Sequence, residues 1–195
     1  MIRTLFARFC SNIRMSKIPK ALVFDLDGCL WEPEMYELLY GSGGAPFTLR
    51  PDGDLTDNHG NHIKLIGDVR DIMYELKTNP KWQDTKVAIA SKCNEPDWAD
   101  ECLDKFELPE KIKLRSVFDQ NLIDVYFGTK QHHLKEISKK SGIKLNEMIF
   151  FDNQMDNCRD VAAIDVTVAY TPCGVTRAIF EKVLEAYPAS GKIIK

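Results

Sequence analysis

Ala21-Leu22-Val23-Phe24-Asp25-Leu26-Asp27-Gly28-Cys29-Leu30-Trp31 is an apolar run that stops abruptly at two carboxylates and a glycine. Such a run, closed by a polar, glycine-bearing turn, predicts a buried strand that ends in a reactive loop. Side chains alternate along a strand, so the spacing of two is expected to set Asp25 and Asp27 on one side at the strand's carboxyl end. Like charges that close need a cation, a lysine or a shared proton. Taken alone, the pair also fits two solvated acids capping a strand, and the rest of the chain has to decide between these readings.

The chain has 195 residues, 44% hydrophobic and 28% charged, with 26 Lys+Arg against 29 Asp+Glu. That length suits one domain with a real core, and the charge balance is not that of a nucleic-acid binder. No apolar run approaches the ~20 residues that span a bilayer, so a membrane protein is not expected. The cysteines (Cys10, Cys29, Cys93, Cys102, Cys158, Cys173) form no C-x-x-C pair, and none is followed six positions on by an arginine. Zinc, a disulfide scaffold and a cysteine-dependent phosphatase are therefore not indicated, and buried structural thiols in a reducing compartment are expected.

Outward from the opening stretch, strands and helices alternate. Val87-Ala88-Ile89-Ala90 reads as a second buried strand ending at Ser91-Lys92, and Glu95 to Leu108 as the helix after it. A weaker strand near Leu122 to Val125 leads to Gly128-Thr129-Lys130. Lys130 then opens a helix, where the macrodipole disfavours a cation. Met148-Ile149-Phe150-Phe151 stops at Asp152-Asn153-Gln154-Met155-Asp156-Asn157, and a strand from Val166 to Tyr170 precedes a last helix. This alternation predicts an α/β fold, a Rossmann-like doubly wound parallel sheet. Each key polar group falls at a strand's carboxyl end or just beyond, the edge where such sheets bind ligands. Three carboxylates there, facing one lysine, fit Mg²⁺ and a phosphate, which is a phosphoryl-transfer site.

Glu32 to His62 is rich in Gly, Pro, Asp and Asn and is expected to form turns or a small hairpin that faces the substrate. Its Asp52-Gly53-Asp54 stretch is not a calcium loop, because the sixth position is Asp57 and the twelfth Ile63. His59 and His62 lack further zinc ligands nearby in sequence. Three spans are expected: a leader or tail at 1–19, a catalytic domain at 20–187 and a C-terminal tail at 188–195. Residues 1 to 20 hold Arg3, Arg8, Arg14, Lys17 and Lys20 with no acid, and Ile2, Leu5, Phe6, Phe9 and Ile13 at helical spacing, an amphipathic basic leader. It resembles an organelle transit peptide; otherwise it is a disordered tail, or a misplaced start with Met15 as the true first residue. Localisation is accordingly expected to be cytoplasmic, or mitochondrial or plastid if the leader is a transit peptide.

On the Asp25-x-Asp27-Gly-x-Leu30 loop, Ser91, Lys130 and the acidic motif at Asp152, the chain resembles the haloacid dehalogenase (HAD) superfamily across roughly residues 20 to 187. Asp27-Gly-Cys-Leu-Trp31, Ala90-Ser-Lys-Cys-Asn-Glu-Pro-Asp-Trp-Ala99, Phe127-Gly-Thr-Lys130 and Glu147-Met-Ile-Phe-Phe-Asp152 resemble its cap-less magnesium-dependent phosphatase branch. The resemblance implies a HAD fold with no separate cap domain, a Mg²⁺ cofactor and hydrolysis of phosphomonoesters through an aspartyl-phosphate. It implies Asp25 as nucleophile and metal ligand and Asp27 as general acid and base, its carbonyl on the metal. Ser91, Lys92 and Lys130 are then phosphate contacts and Asp152 a metal ligand. Asn153 stands where that branch has a second Asp, and Asp156 is the expected replacement in the metal shell. Aryl (phosphotyrosine-like) phosphates, phosphoproteins or sugar phosphates are the expected substrates of a monomeric acid phosphatase. A receiver-like or non-catalytic phosphate- and Mg²⁺-binding module is the alternative.

Overall fold

In the computed structural model, residues 18–195 are described; the basic leader lies outside them up to residue 17. The opening stretch forms β1 (Ala21–Phe24) at the middle of the main sheet. Its alternating residues feed two cores, Leu22 and Phe24 on one face and Ala21 and Val23 on the other. Burial on both faces is what a wholly apolar strand demands, and it requires helices on each side.

A flap follows β1: β2 (Trp31–Glu32), α1 (Met35–Tyr40), β3 (Thr48–Leu49), β4 (Leu55–Thr56) and β5 (His62–Leu65). The chain then alternates through α2 (Val69–Thr78), β6 (Lys86–Ser91), α3 (Pro96–Lys105), β7 (Ile123–Val125), α4 (Lys130–Ser141), β8 (Met148–Asp152), α5 (Met155–Ala162), β9 (Thr167–Tyr170), α6 (Arg177–Ala186) and β10 (Ile193–Ile194). The main sheet runs β10-β9-β8-β1-β6-β7 with every pairing parallel. Strand order reverses beside β1, so the crevice of a doubly wound sheet opens at its carboxyl end. Helices α2, α3 and α6 cover one face and α4 and α5 the other.

Two elements differ from the reading of the sequence. Glu32 to His62, expected as turns or a hairpin, carries α1 and most of a four-stranded antiparallel sheet of order β2-β5-β4-β3. Strands of two residues are too short to show a period, and α1 hides behind Pro33 and the glycines. Residues 188–195, expected as a tail, supply β10, which pairs Ile193 with Val168 and Ile194 with Ala169 at the sheet edge.

The flap is no separate domain. Its Met35, Leu38, Phe47, Leu55 and Ile63 belong to the same buried cluster as Leu22 and Phe24. Trp31 stacks on Phe106 at 5.8 Å, and Phe47 meets Trp98 edge-on at 6.2 Å. Inside the flap, Asp57 is buried and accepts bonds from the backbone N–H of Gly44 (2.9 Å), His59 (2.9 Å) and Asn61 (2.8 Å). Those bonds hold its carboxyl below the usual range although burial opposes them. Gly44 has φ +123°, and a Cβ there would lie 2.1 Å from the Trp98 ring. Gly44→Ala is therefore expected to destabilise the protein by about 1–3 kcal/mol, through strain and overpacking combined. Urea unfolding checks this, and an unchanged midpoint would mean that the flap is not docked through this contact.

Candidate active site

The carboxyl ends of β1, β6 and β8 converge on one buried charge cluster. Lys130 opens α4 and is 1% exposed, Asp152 ends β8 at 0%, and Asp25 follows β1 at 6%. The Lys130 Nζ donates to Asp25 Oδ1 (2.5 Å) and to the Ala90 carbonyl (2.6 Å), and lies 3.4 Å from Asp152 Oδ2. Long charged side chains are almost never fully buried unless paired, so this lysine is held there by its partners. Burial alone would push its ammonium down, but Asp25 and Asp152 outweigh burial and raise it. Thr129 caps α4, its Oγ1 accepting from His132 N (3.2 Å), which fixes the turn that delivers Lys130.

Asp152 is driven up to about 7, by burial first and then by Asp25, against the opposing pull of Lys130. Asn157, buried in the first half of α5, donates to both its oxygens (3.3 and 3.0 Å). Lys92 Nζ in turn donates to Asn157 Oδ1 at 2.6 Å. Lys92, expected to contact phosphate, is thus engaged on the relay behind Asp152. Asn157 escaped the sequence reading, because an asparagine inside a helix carries no motif; its place on the buried face beside Cys158 is the one signal it offers.

The alternation argument does not carry to Asp27. β1 stops at Phe24, so residues 25 to 27 are loop. Asp27 Oδ1 accepts from Trp31 Nε1 (2.8 Å) and Oδ2 from the Met35 backbone N–H (3.2 Å). The flap therefore aims this carboxyl. Burial and then Asp25 push it up to about 7, against those two bonds, and Glu34 adds to the rise. A carboxyl titrating there holds a proton near neutrality and can give it up, as a general acid must.

Ser91 is buried at the end of β6, and its Oγ accepts from Cys93 N at 3.3 Å. Asp156 is displaced from the cluster: its side chain is 93% exposed and pairs with Arg159 at 2.9 Å. One residue into α5, it points away from the sheet edge to solvent, and the expected metal-shell role does not hold. Asn153 lines the neighbouring cleft, and its Oδ1 is buried with no hydrogen-bond partner among the described residues. Gly28, at φ +69°, lets it approach, since a Cβ there would lie 2.2 Å from Asn153 Nδ2 and 3.1 Å from Glu34 Oε1. A cleft of about 610 Å³ opens over this point, lined by Glu34, Lys64, Asn153 and Cys173 among others. Cys173 is exposed, unlike the thiols expected to be buried throughout. In the flap, His62 bonds Asp54 (3.0 Å), while Arg50 pairs with Asp52 and Arg70 with Asp54, so that group is already neutralised internally.

The fold and this carboxylate-lysine edge define a HAD-type hydrolase. Residues 17–190 match the family model described as Acid Phosphatase, and the chain belongs to that family. It is 28% identical over 173 residues, 89% of each chain, to Magnesium-dependent phosphatase 1 of Homo sapiens. A HAD-like hydrolase superfamily protein of Schizosaccharomyces pombe is 31% identical over 156 residues, covering 80% of this chain and 87% of that one. Among solved structures, a HAD-superfamily hydrolase from Ehrlichia chaffeensis has TM-score 0.54 at 14% identity, covering 85% of this chain and 94% of that one. CbbY from Rhodobacter sphaeroides, in complex with phosphate, has TM-score 0.52 at 12% identity, covering 82% and 89%. These structures share the fold.

The raised carboxyls make a pH prediction for the metal-free protein. Asp27 and Asp152 keep protons up to about 7 when folded and lose them near 4 when unfolded. Between those values the folded state binds more protons, so stability falls as pH rises. Thermal unfolding is expected to show a lower Tm at pH 8 than at pH 5.5, with Mg²⁺ restoring more at pH 8. A Tm flat across this window would contradict the burial of these charges.

Proposed function

We propose that the protein is a Mg²⁺-dependent phosphomonoester hydrolase working through a phosphorylated Asp25. The observation that carries this is the buried Lys130–Asp25–Asp152 cluster, with Asp27 beside it pushed up to about 7. The residues fit Mg²⁺: two near-dry carboxylates share one lysine, and directly after Asp152 comes Asn153, whose buried Oδ1 has no partner among the described residues. Asp25, Asp152 and the Asp27 carbonyl would hold the ion, with Asn153 next to them. When bound, it neutralises charge on the phosphoryl oxygens and the surrounding carboxylates.

An Asp25 carboxylate oxygen attacks phosphorus, and the bond from phosphorus to the leaving oxygen breaks. Asp27 donates its proton to that oxygen, releasing the alcohol. Its carboxylate then takes a proton from water, which attacks the phosphorylated Asp25; the Asp25 oxygen–phosphorus bond breaks and inorganic phosphate leaves. Lys130 and Ser91 steady the phosphoryl oxygens throughout. Asn157 and Lys92 hold Asp152 in place.

The cleft between the flap and the sheet edge receives the leaving group. Small aryl or sugar phosphates are the substrate class we propose. Asp25→Asn is expected to abolish Mg²⁺-dependent hydrolysis of an aryl phosphate while leaving circular dichroism unchanged. A variant retaining a tenth of the rate would overturn the covalent route.

A further inference from the structure

We propose that Glu34, carried by the flap, supplies to the metal site the negative charge that Asn153 lacks, acting through the Asn153 amide or a metal-bound water. This inference rests on the Mg²⁺ site described above and deepens it.

Three observations place Glu34 there. Asn153 Nδ2 and Glu34 Oε1 close together over the same point on Gly28, where no Cβ could stand. Asn153 Oδ1 is buried with no hydrogen-bond partner among the described residues. A buried oxygen left without a partner is costly, so the site calls for a donor or a cation. Finally, the neighbouring backbone N–H of Met35 holds Asp27. The start of α1 thus touches both sides of the catalytic edge, Asp27 through Met35 and Asn153 through Glu34.

Glu34 also precedes α1, where its backbone N–H donates to Glu37 Oε2 (2.9 Å), so a role confined to helix capping is the competing explanation. The two differ chemically. The capping bond from the Glu34 backbone survives a change of its side chain whatever stands at 153, whereas a missing metal-shell charge is restored by an acid at 153.

Isothermal titration with Mg²⁺ alone, on the full chain, separates them. Wild type is expected to bind Mg²⁺, and Glu34→Gln to bind about 10- to 100-fold more weakly, the loss typical of an outer-shell partner. Glu34→Gln combined with Asn153→Asp is expected to recover most of that affinity. If Glu34→Gln titrates as wild type does, Glu34 serves only the start of α1 and the inference is overturned. A double variant as weak as the single one overturns it as well. Wild type that takes up no Mg²⁺ overturns the metal site itself, a failure distinct from these two.

Discussion

Lys130 buried against Asp25 and Asp152 is the constraint on which the rest depends. Removing one partner from such a buried ion pair typically costs 3–5 kcal/mol, because the others are left as uncompensated charge. The fold meets this by delivering the three groups from separate elements, the ends of β1 and β8 and the first residue of α4, to one point. A parallel sheet whose strand order reverses beside β1 has a crevice at that point, and flanking helices keep water from most of it. The same dry environment that makes the cluster costly raises Asp27 and Asp152 towards neutrality, which readies one for proton transfer and leaves the other in want of a cation.

What the sequence shows clearly is what periodicity and strand ends encode. Val23-Phe24-Asp25, Ala90-Ser91 and Phe151-Asp152 each mark where an apolar run meets the ligand-binding edge, and Lys130 stands out as a cation at a helix start. Groups positioned by tertiary contact were not legible in this way. Asp27 is aimed by Trp31 and Met35, which a strand-alternation argument cannot see. Asp156 sits at a spacing that suits a metal ligand, yet helix geometry turns it outward onto Arg159. Asn157 and Glu34 reach the site only because α5 and the flap fold back on it, and neither belongs to a recognisable local pattern.

The flap belongs to the core of the domain. Phe47, Leu55 and Ile63 bury into the same cluster as the central strand, so the flap's position is fixed by packing more than by a hinge. It orients Asp27, lines the cleft and brings Glu34 to Asn153. One segment therefore both holds Asp27 and lines the cleft.

The central claim is that Asp25 becomes phosphorylated and that Asp27 is needed to release it. Asp27→Asn, mixed with Mg²⁺ and an aryl phosphate whose leaving group needs no proton, should form the phosphoenzyme and hydrolyse it slowly. Rapid acid quenching followed by peptide mass spectrometry is expected to find one phosphate on Asp25 at near-stoichiometric occupancy. Phosphate on another residue, or turnover with no covalent phosphate at any time point, would contradict the account.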